Sequence, residues 1–192
     1  GYNRPFSPHV LVVKKNIENH NLPFTLQCFI TGHLIPEDHW YRNPNEGTRV
    51  CGNLGHWIDI AIHMLSWSGK LIDCVDIAIS YSSTKTPSDN FSLVMTTPRG
   101  DLISLIFSSR SEPFEGVNES INFQQGNLIA KINDHRHTQI WVGEKYISRK
   151  FWPKDPGHKK AILQPFIENT ELFRNWDELV LSTELMLVVT DM

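Results

Sequence analysis

The stretch "ESINFQQGNLIAKINDHRHTQIWVG", residues 119–143, holds three short segments of period-2 character. Gln125-Gly126-Asn127 separates the first two, and Gly143-Glu144 follows the third. Alternating apolar and polar residues between tight-turn residues are the mark of strands joined as antiparallel hairpins. The same texture extends toward the N-terminus through "LIDCVDIAISY" (71–81), "NFSLVMTT" (90–97) and "DLISLIFSS" (101–109), the last two separated by Pro98-Arg99-Gly100. Six such segments predict one meandering sheet of about six strands.

Helical signals lie outside this block. In "FSPHVLVVKKNIENH" (6–20), Ser7 is placed to cap a helix, Pro8 takes its first position, and Val10, Val13 and Ile17 make an apolar stripe. "FTLQCFITGH" (24–33) reads as a strand, and a loop rich in Pro, Asn and Gly follows from Leu34 to Thr48. A further helix is predicted from Asn53 to Trp67, closed by Ser68-Gly69. "GHKKAILQPFIENTELF" (157–173) is helical with a break at Pro165, and "NWDELVLSTELMLVV" (175–189) begins with Asn175 and Glu178 at capping-box spacing. Helices flanking a run of hairpins predict an α+β fold, a mostly antiparallel open sheet with helices on one face. The other face is then solvated or an interface.

At 192 residues the chain suits one domain, 1–192. A net charge of −3 with no recurring aromatic-plus-arginine patch argues against nucleic acid as a partner. No apolar run approaches the ~20 residues needed to cross a bilayer, so no membrane is expected. The opening residues "GYNRPFSPHV" lack the charged and apolar regions of a signal peptide, and the chain opens on Gly, as a processed or partial protein would. Three scattered cysteines, Cys28, Cys51 and Cys74, fit a reduced cytoplasmic setting better than disulfides or a zinc knuckle. There is no GxGxxG, no Walker loop and no strand–helix alternation.

The helix in "RVCGNLGHWIDIAIHML" (49–65) carries the chemistry. His56, Asp59 and His63 lie at i, i+3 and i+7 and share one face of an otherwise apolar helix. A buried histidine with a carboxylate one turn away is suited to proton transfer. The same pair also serves as a purely structural hydrogen bond. A metal site is disfavoured, because i and i+7 lie roughly 10 Å apart along the axis. Gly52 and Gly55 would let a backbone or a ligand approach closely. Trp40, Tyr41 and Arg42 suit stacking on and hydrogen bonding to a sugar, or anchoring of their loop. His33 and His39 flank that loop without a telling spacing. "DHRH" (134–137) reads as a solvated turn, and Cys51 as a packed thiol.

Four stretches, in order, resemble the C-terminal domain of the Gfo/Idh/MocA oxidoreductases, the glucose–fructose oxidoreductase and inositol dehydrogenase group. "GYNRPFSPHV" resembles the family's GxNRRFSPH opening, and "GTRVCGNLGHWIDIAIHML" its glycine turn and H-x-I-D helix. "ESINFQQGNLIAKIND" is similar to its E-x-I-x…G-x-L hairpin, and "DPGHKKAILQPFI" to its G-H-x-x-x-L-x-x-F-I segment. The resemblance implies a substrate-binding and oligomerisation domain of an NAD(P)-dependent dehydrogenase acting on a sugar, sugar nucleotide or polyol. It implies NAD or NADP in the intact protein, bound by an N-terminal Rossmann domain that these 192 residues lack, so the chain alone is expected to hold no cofactor and to be inactive. It further implies a homo-oligomer formed through the open sheet face.

In that frame His56 matches the catalytic histidine and Asp59 the acidic residue one turn on. Asn53 and Arg49, with Trp40, Tyr41 and Arg42, are the substrate-binding candidates, and Arg4 is the cofactor-facing one. No metal is implied. Two departures stand out. Gly52 occupies a position where many members carry Asp, leaving Asn53 as the nearest polar substitute, and Pro5 replaces a second Arg. The first favours a rival reading, a non-catalytic sugar-binding or dimerisation module of the same fold. His63 is expected to be a satisfied core or interface histidine.

Overall fold

A computed structural model describes residues 2–43, 48–70, 75–83, 85–166 and 174–192. Cys74, the start of the strand expected at 71–81, the middle of the 34–48 loop and the later part of the helix expected at 157–173 lie outside the described residues.

Among the described residues eight strands form one sheet: β1 (Phe24–Thr31), β2 (Asp76–Tyr81), β3 (Asn90–Thr96), β4 (Leu102–Ser108), β5 (Asn118–Gln125), β6 (Leu128–Asn133), β7 (His137–Val142) and β8 (Lys145–Lys150). Their order is β2-β3-β4-β1-β5-β6-β7-β8. β1 runs parallel to β4 and antiparallel to β5, and every other pairing is antiparallel. The sheet is therefore mixed and wider than the six antiparallel strands expected from the hairpin run. β1, remote in sequence, inserts between β4 and β5. Its alternate residues Phe24, Leu26, Cys28 and Ile30 are almost wholly buried, as a central strand requires. β8 escaped the pattern because it is an exposed edge strand with no apolar period. Its Lys145, Arg149 and Lys150 suit an edge that must not pair further.

Among the described residues four α-helices accompany the sheet: α1 (Pro8–Lys15), α2 (Gly55–Leu65), α3 (His158–Leu163) and α4 (Trp176–Asp191). Ser7 caps α1, its hydroxyl accepting from the His9 amide at 3.3 Å, with Pro8 at the first position. A π-helical turn, Val50–Leu54, leads directly into α2, which ends through a short 3₁₀ turn at Gly69, whose φ of 79° suits glycine. Asn175 caps α4, accepting from the Asp177 amide. Glu178 is spent elsewhere and completes no capping box. One hydrophobic cluster joins the inward sheet residues to Val10 and Val13 of α1, most of α2, and Leu181, Leu185 and Val189 of α4. Across the outer sheet face, Phe29, Leu102 and Ile129 remain exposed. No helix among the described residues is long and apolar enough to cross a membrane.

Candidate functional site

A cleft of about 400 Å³ opens where the turn before α1, the head of α2 and the segment before α3 converge. Asn3, Arg4, Asn53, His56, Trp57 and Glu119 line one part of it, and Glu115, Val117, Lys154, Pro156 and His158 the rest. Beneath it lies a buried ion pair. Arg4 donates through Nε to Glu119 Oε2 at 2.8 Å and through Nη2 to Oε1 at 3.0 Å. Trp57 donates its indole N–H to the same carboxylate at 2.7 Å, and the Arg4 guanidinium lies 4.1 Å from the centre of the indole ring. Burial alone would raise the Glu119 carboxyl, but Arg4 and His135 outweigh it and hold it well below the usual carboxylate range.

His56 stands at the cleft beside this pair. Burial, then the Arg4 guanidinium, hold its imidazole down to about 4, so it is neutral at pH 7. The Tyr2 ring meets it edge-on at 5.5 Å. Its Nδ1 is buried without a hydrogen-bond partner. The opposing wall is fixed by Gly157, whose φ of 96° is open to glycine. A methyl group there would press on the Asn3 carbonyl oxygen and stand 2.6 Å from the Ser7 nitrogen. Two motifs far apart in sequence, "NRPFS" and "DPGH", are thus clamped together, bringing Pro156 and His158 to the cleft. Gly157→Ala is expected to cost roughly 1–3 kcal/mol from backbone strain alone. In NMR spectra it should also shift the His158 and Asn3 signals, and an unchanged midpoint with unchanged spectra would refute the clamp.

Of the expected site residues, His56, Asn53 and Arg4 line the cleft, and Arg4 is only 7% exposed, its Nε and Nη2 donating to Glu119. Asp59 does not pair with His56. It is fully buried, and both its oxygens accept from Arg174 Nη1 at 2.8 Å. Arg174 also reaches Glu178, whose carboxylate accepts from Ser66 at 2.6 Å and meets His63 Nδ1 at 3.0 Å. The polar stripe of α2 therefore divides: His56 serves the cleft, while Asp59 and His63 face a buried ionic network with α4.

Arg49 is also away from the cleft. It is buried, paired with Asp89 at 3.1 Å, bonded to the His33 carbonyl, and laid over the Phe107 ring. Arg42 donates to Asp89 and to the Ile35 and Pro36 carbonyls. Tyr41 packs against Gly52, where a Cβ would lie 2.7 Å from its Cζ. An Asp at position 52 has no room while Tyr41 fills that space. Trp40 stacks on its neighbours and stays half-exposed. None of the four lines the cleft.

The turn at 134–137 is less solvated than expected: Asp134 and His135 are buried, with φ of 48° and 46°. His135 Nδ1 meets the Ser7 hydroxyl at 2.9 Å, and its Nε2 lies 3.5 Å from Glu119. Cys28 and Cys51 are free thiols. Among the described residues no group of three or more His, Cys, Asp or Glu side chains is placed to hold a metal ion. Asn3, Glu119, Lys154 and His158 were missed as cleft residues. One of them had a legible signal, because Glu119 keeps the inward phase of Ile121 and Phe123 on β5. A carboxylate on the core face of a strand demands a partner.

No family model matches the sequence, and neither does any curated protein. Solved structures do. A Gfo/Idh/MocA family oxidoreductase from Vibrio cholerae superposes with a TM-score of 0.62 over 100% of this chain and 60% of its own length, at 13% identity. The chain has the fold of the Gfo/Idh/MocA oxidoreductases. A UDP-N-acetylglucosamine 3-dehydrogenase from Acidithiobacillus ferrooxidans matches at a TM-score of 0.67 and 12% identity, over 97% of this chain and 57% of its own. A putative myo-inositol dehydrogenase from Sinorhizobium meliloti gives 0.62 and 16%, over 97% and 60%. The chain thus spans about three fifths of the length of these Gfo/Idh/MocA-type structures.

Proposed function

We propose that this chain is the C-terminal, substrate-binding and oligomerisation domain of an NAD(P)-dependent dehydrogenase acting on a sugar, sugar nucleotide or polyol. The observation that carries the reading is a neutral histidine at the head of a polar cleft, in a fold shared with sugar-nucleotide and polyol dehydrogenases. Oxidising a carbinol requires an acceptor for the hydroxyl proton. His56 is unprotonated across the neutral range, so an imidazole nitrogen can take that hydrogen bond, while Asn53 beside it orients a neighbouring hydroxyl. In this reading Asp59 acts at a distance, bracing α2 through Arg174.

The dinucleotide belongs to the intact protein. Arg4 is committed to Glu119, and no glycine-rich strand-to-helix turn stands among the described residues to cradle a pyrophosphate. The open face of the sheet, with Phe29, Leu102 and Ile129 exposed, is the proposed contact between subunits. A second reading, a sugar-binding module without catalysis, is favoured by Gly52, because the Tyr41 ring fills the space a carboxylate side chain would need there. His56→Ala in the complete enzyme separates the two. A loss in kcat of about 10²-fold or more is expected for a proton-transfer role, whereas a rise in KM alone would move the assignment to binding.

A further inference from the structure

A histidine that exchanges protons is ordinarily held by a hydrogen bond to the ring nitrogen it does not use. His56 lacks that brace, for its Nδ1 is buried and meets no partner among the described residues. Packing holds the imidazole instead. The Tyr2 ring stands edge-on to it at 5.5 Å and 81°, and the Trp57 ring, tied to Glu119, lies at 6.2 Å and 74°. Tyr2 is itself anchored at its far end. Its hydroxyl donates to Met186 Sδ on α4 at 3.2 Å. Burial, then Asp59, raise the phenol above its ordinary value, so it remains a donor through the neutral range. α2 makes room for this anchor with Gly55, where a Cβ would stand 2.7 Å from Met186 Sδ and 2.9 Å from the Tyr2 hydroxyl. The segment ahead of α1 is thus pinned across the head of α2 to α4.

We propose that Tyr2 is a positioning residue for His56: its ring fixes the orientation of the imidazole and keeps water from that flank, and its phenol fixes the ring on α4. This rests on His56 being the proton acceptor assigned above. Arg4 ahead of α1, Glu119 on β5 and His158 on α3 also act on this imidazole through their charges. They stay in place when Tyr2 is changed, so the contribution of the ring can be read separately from theirs.

The test follows the His56 ring by NMR through a pH titration of the full chain. Tyr2→Ala opens one flank of the imidazole to water. It is expected to raise the His56 midpoint by about one pH unit or more toward the ordinary value near 6.5. Tyr2→Phe keeps the ring and should leave the midpoint within about 0.3 pH unit of wild type. Gly55→Ala favours the helix but forces the Tyr2 hydroxyl aside, so it should move the midpoint in the same direction as Tyr2→Ala. In the complete enzyme Tyr2→Ala should lower kcat about tenfold, with the acid limb of its pH profile displaced upward and KM little changed. A His56 midpoint that neither Tyr2→Ala nor Gly55→Ala moves overturns the positioning role, whatever the kinetics. If the midpoint moves as expected and kcat with its pH profile does not, Tyr2 still positions the ring, and the proton-transfer reading of His56 falls instead.

Discussion

Replacing Glu119 with alanine is expected to cost about 3–5 kcal/mol of folding stability, the penalty of breaking a buried ion pair by removing one partner. Three donors lose their acceptor at once: the two Arg4 nitrogens and the Trp57 indole N–H. The Arg4 guanidinium cannot escape to water, because it is held on the Trp57 ring and almost wholly covered. His135, whose Nε2 lies 3.5 Å from the same carboxylate, loses that neighbour. Removing both charges in Arg4→Met with Glu119→Leu should cost much less than Glu119→Ala, since the desolvation penalty of both ions disappears as well. Urea unfolding at pH 7 measures both. A Glu119→Ala midpoint within about 1 kcal/mol of wild type would show that water reaches Arg4, and the pair would then lose its status as the floor of the cleft.

That ion pair also shows where sequence reading succeeds and where it stops. The hairpins of β5, β6 and β7 were legible because each keeps a two-residue period and glycine turns stand at Gly126 and Gly143. The cap at Ser7-Pro8 and the apolar body of α2 were legible because they are local. β8 was not, for an edge strand buries nothing and its period carries no apolar signal. The place of β1 was not, because a parallel partner seventy-odd residues away leaves no trace in local spacing. At the site, His56 and Asn53 could be chosen from one helix. Asp59 looked like the partner of His56 from the same helical spacing, yet spacing gives a shared face and not a shared neighbour. Arg174 decided the matter from another segment. Arg49 and Arg42 read as ligand-binding arginines and proved to be ties to Asp89. An arginine in a loop declares its need for an acceptor, and only the fold says whether the acceptor is protein or ligand. Tyr41 likewise explains Gly52: the missing side chain is replaced by a ring from a neighbouring turn.

Acid is expected to destabilise this protein in two stages. Burial, then His135, depress His9 to about 4, and burial, then Arg4, depress His56 to the same level. In the unfolded chain both return to the ordinary value near 6.5. Between pH 6.5 and 4 the unfolded state therefore binds more protons than the folded one, and stability falls as pH falls. Two such groups give a slope of up to about 2.7 kcal/mol per pH unit and a loss of about 3 kcal/mol from each by pH 4. Above pH 7 neither contributes and the curve is flat with respect to them. The second stage belongs to Glu119 and Glu178, whose folded values lie well below those of the unfolded chain, so their contributions vanish only on stronger acidification. Asp59 opposes this stage, since burial, countered in part by Arg174, raises its carboxyl and the folded state takes up that proton more readily. Urea midpoints measured from pH 8 to pH 4 resolve the first stage. His9→Gln should reduce its slope by taking away one proton, leaving the share of His56 and of His20 and His63, which burial also lowers, and it should also lose part of the 2.5 Å contact between His9 Nδ1 and the Thr138 hydroxyl. A midpoint unchanged down to pH 4.5 in the wild-type chain would mean that both imidazoles reach solvent. His56 would then be charged near pH 6, and the cleft would meet its substrate with a cation instead of a neutral acceptor.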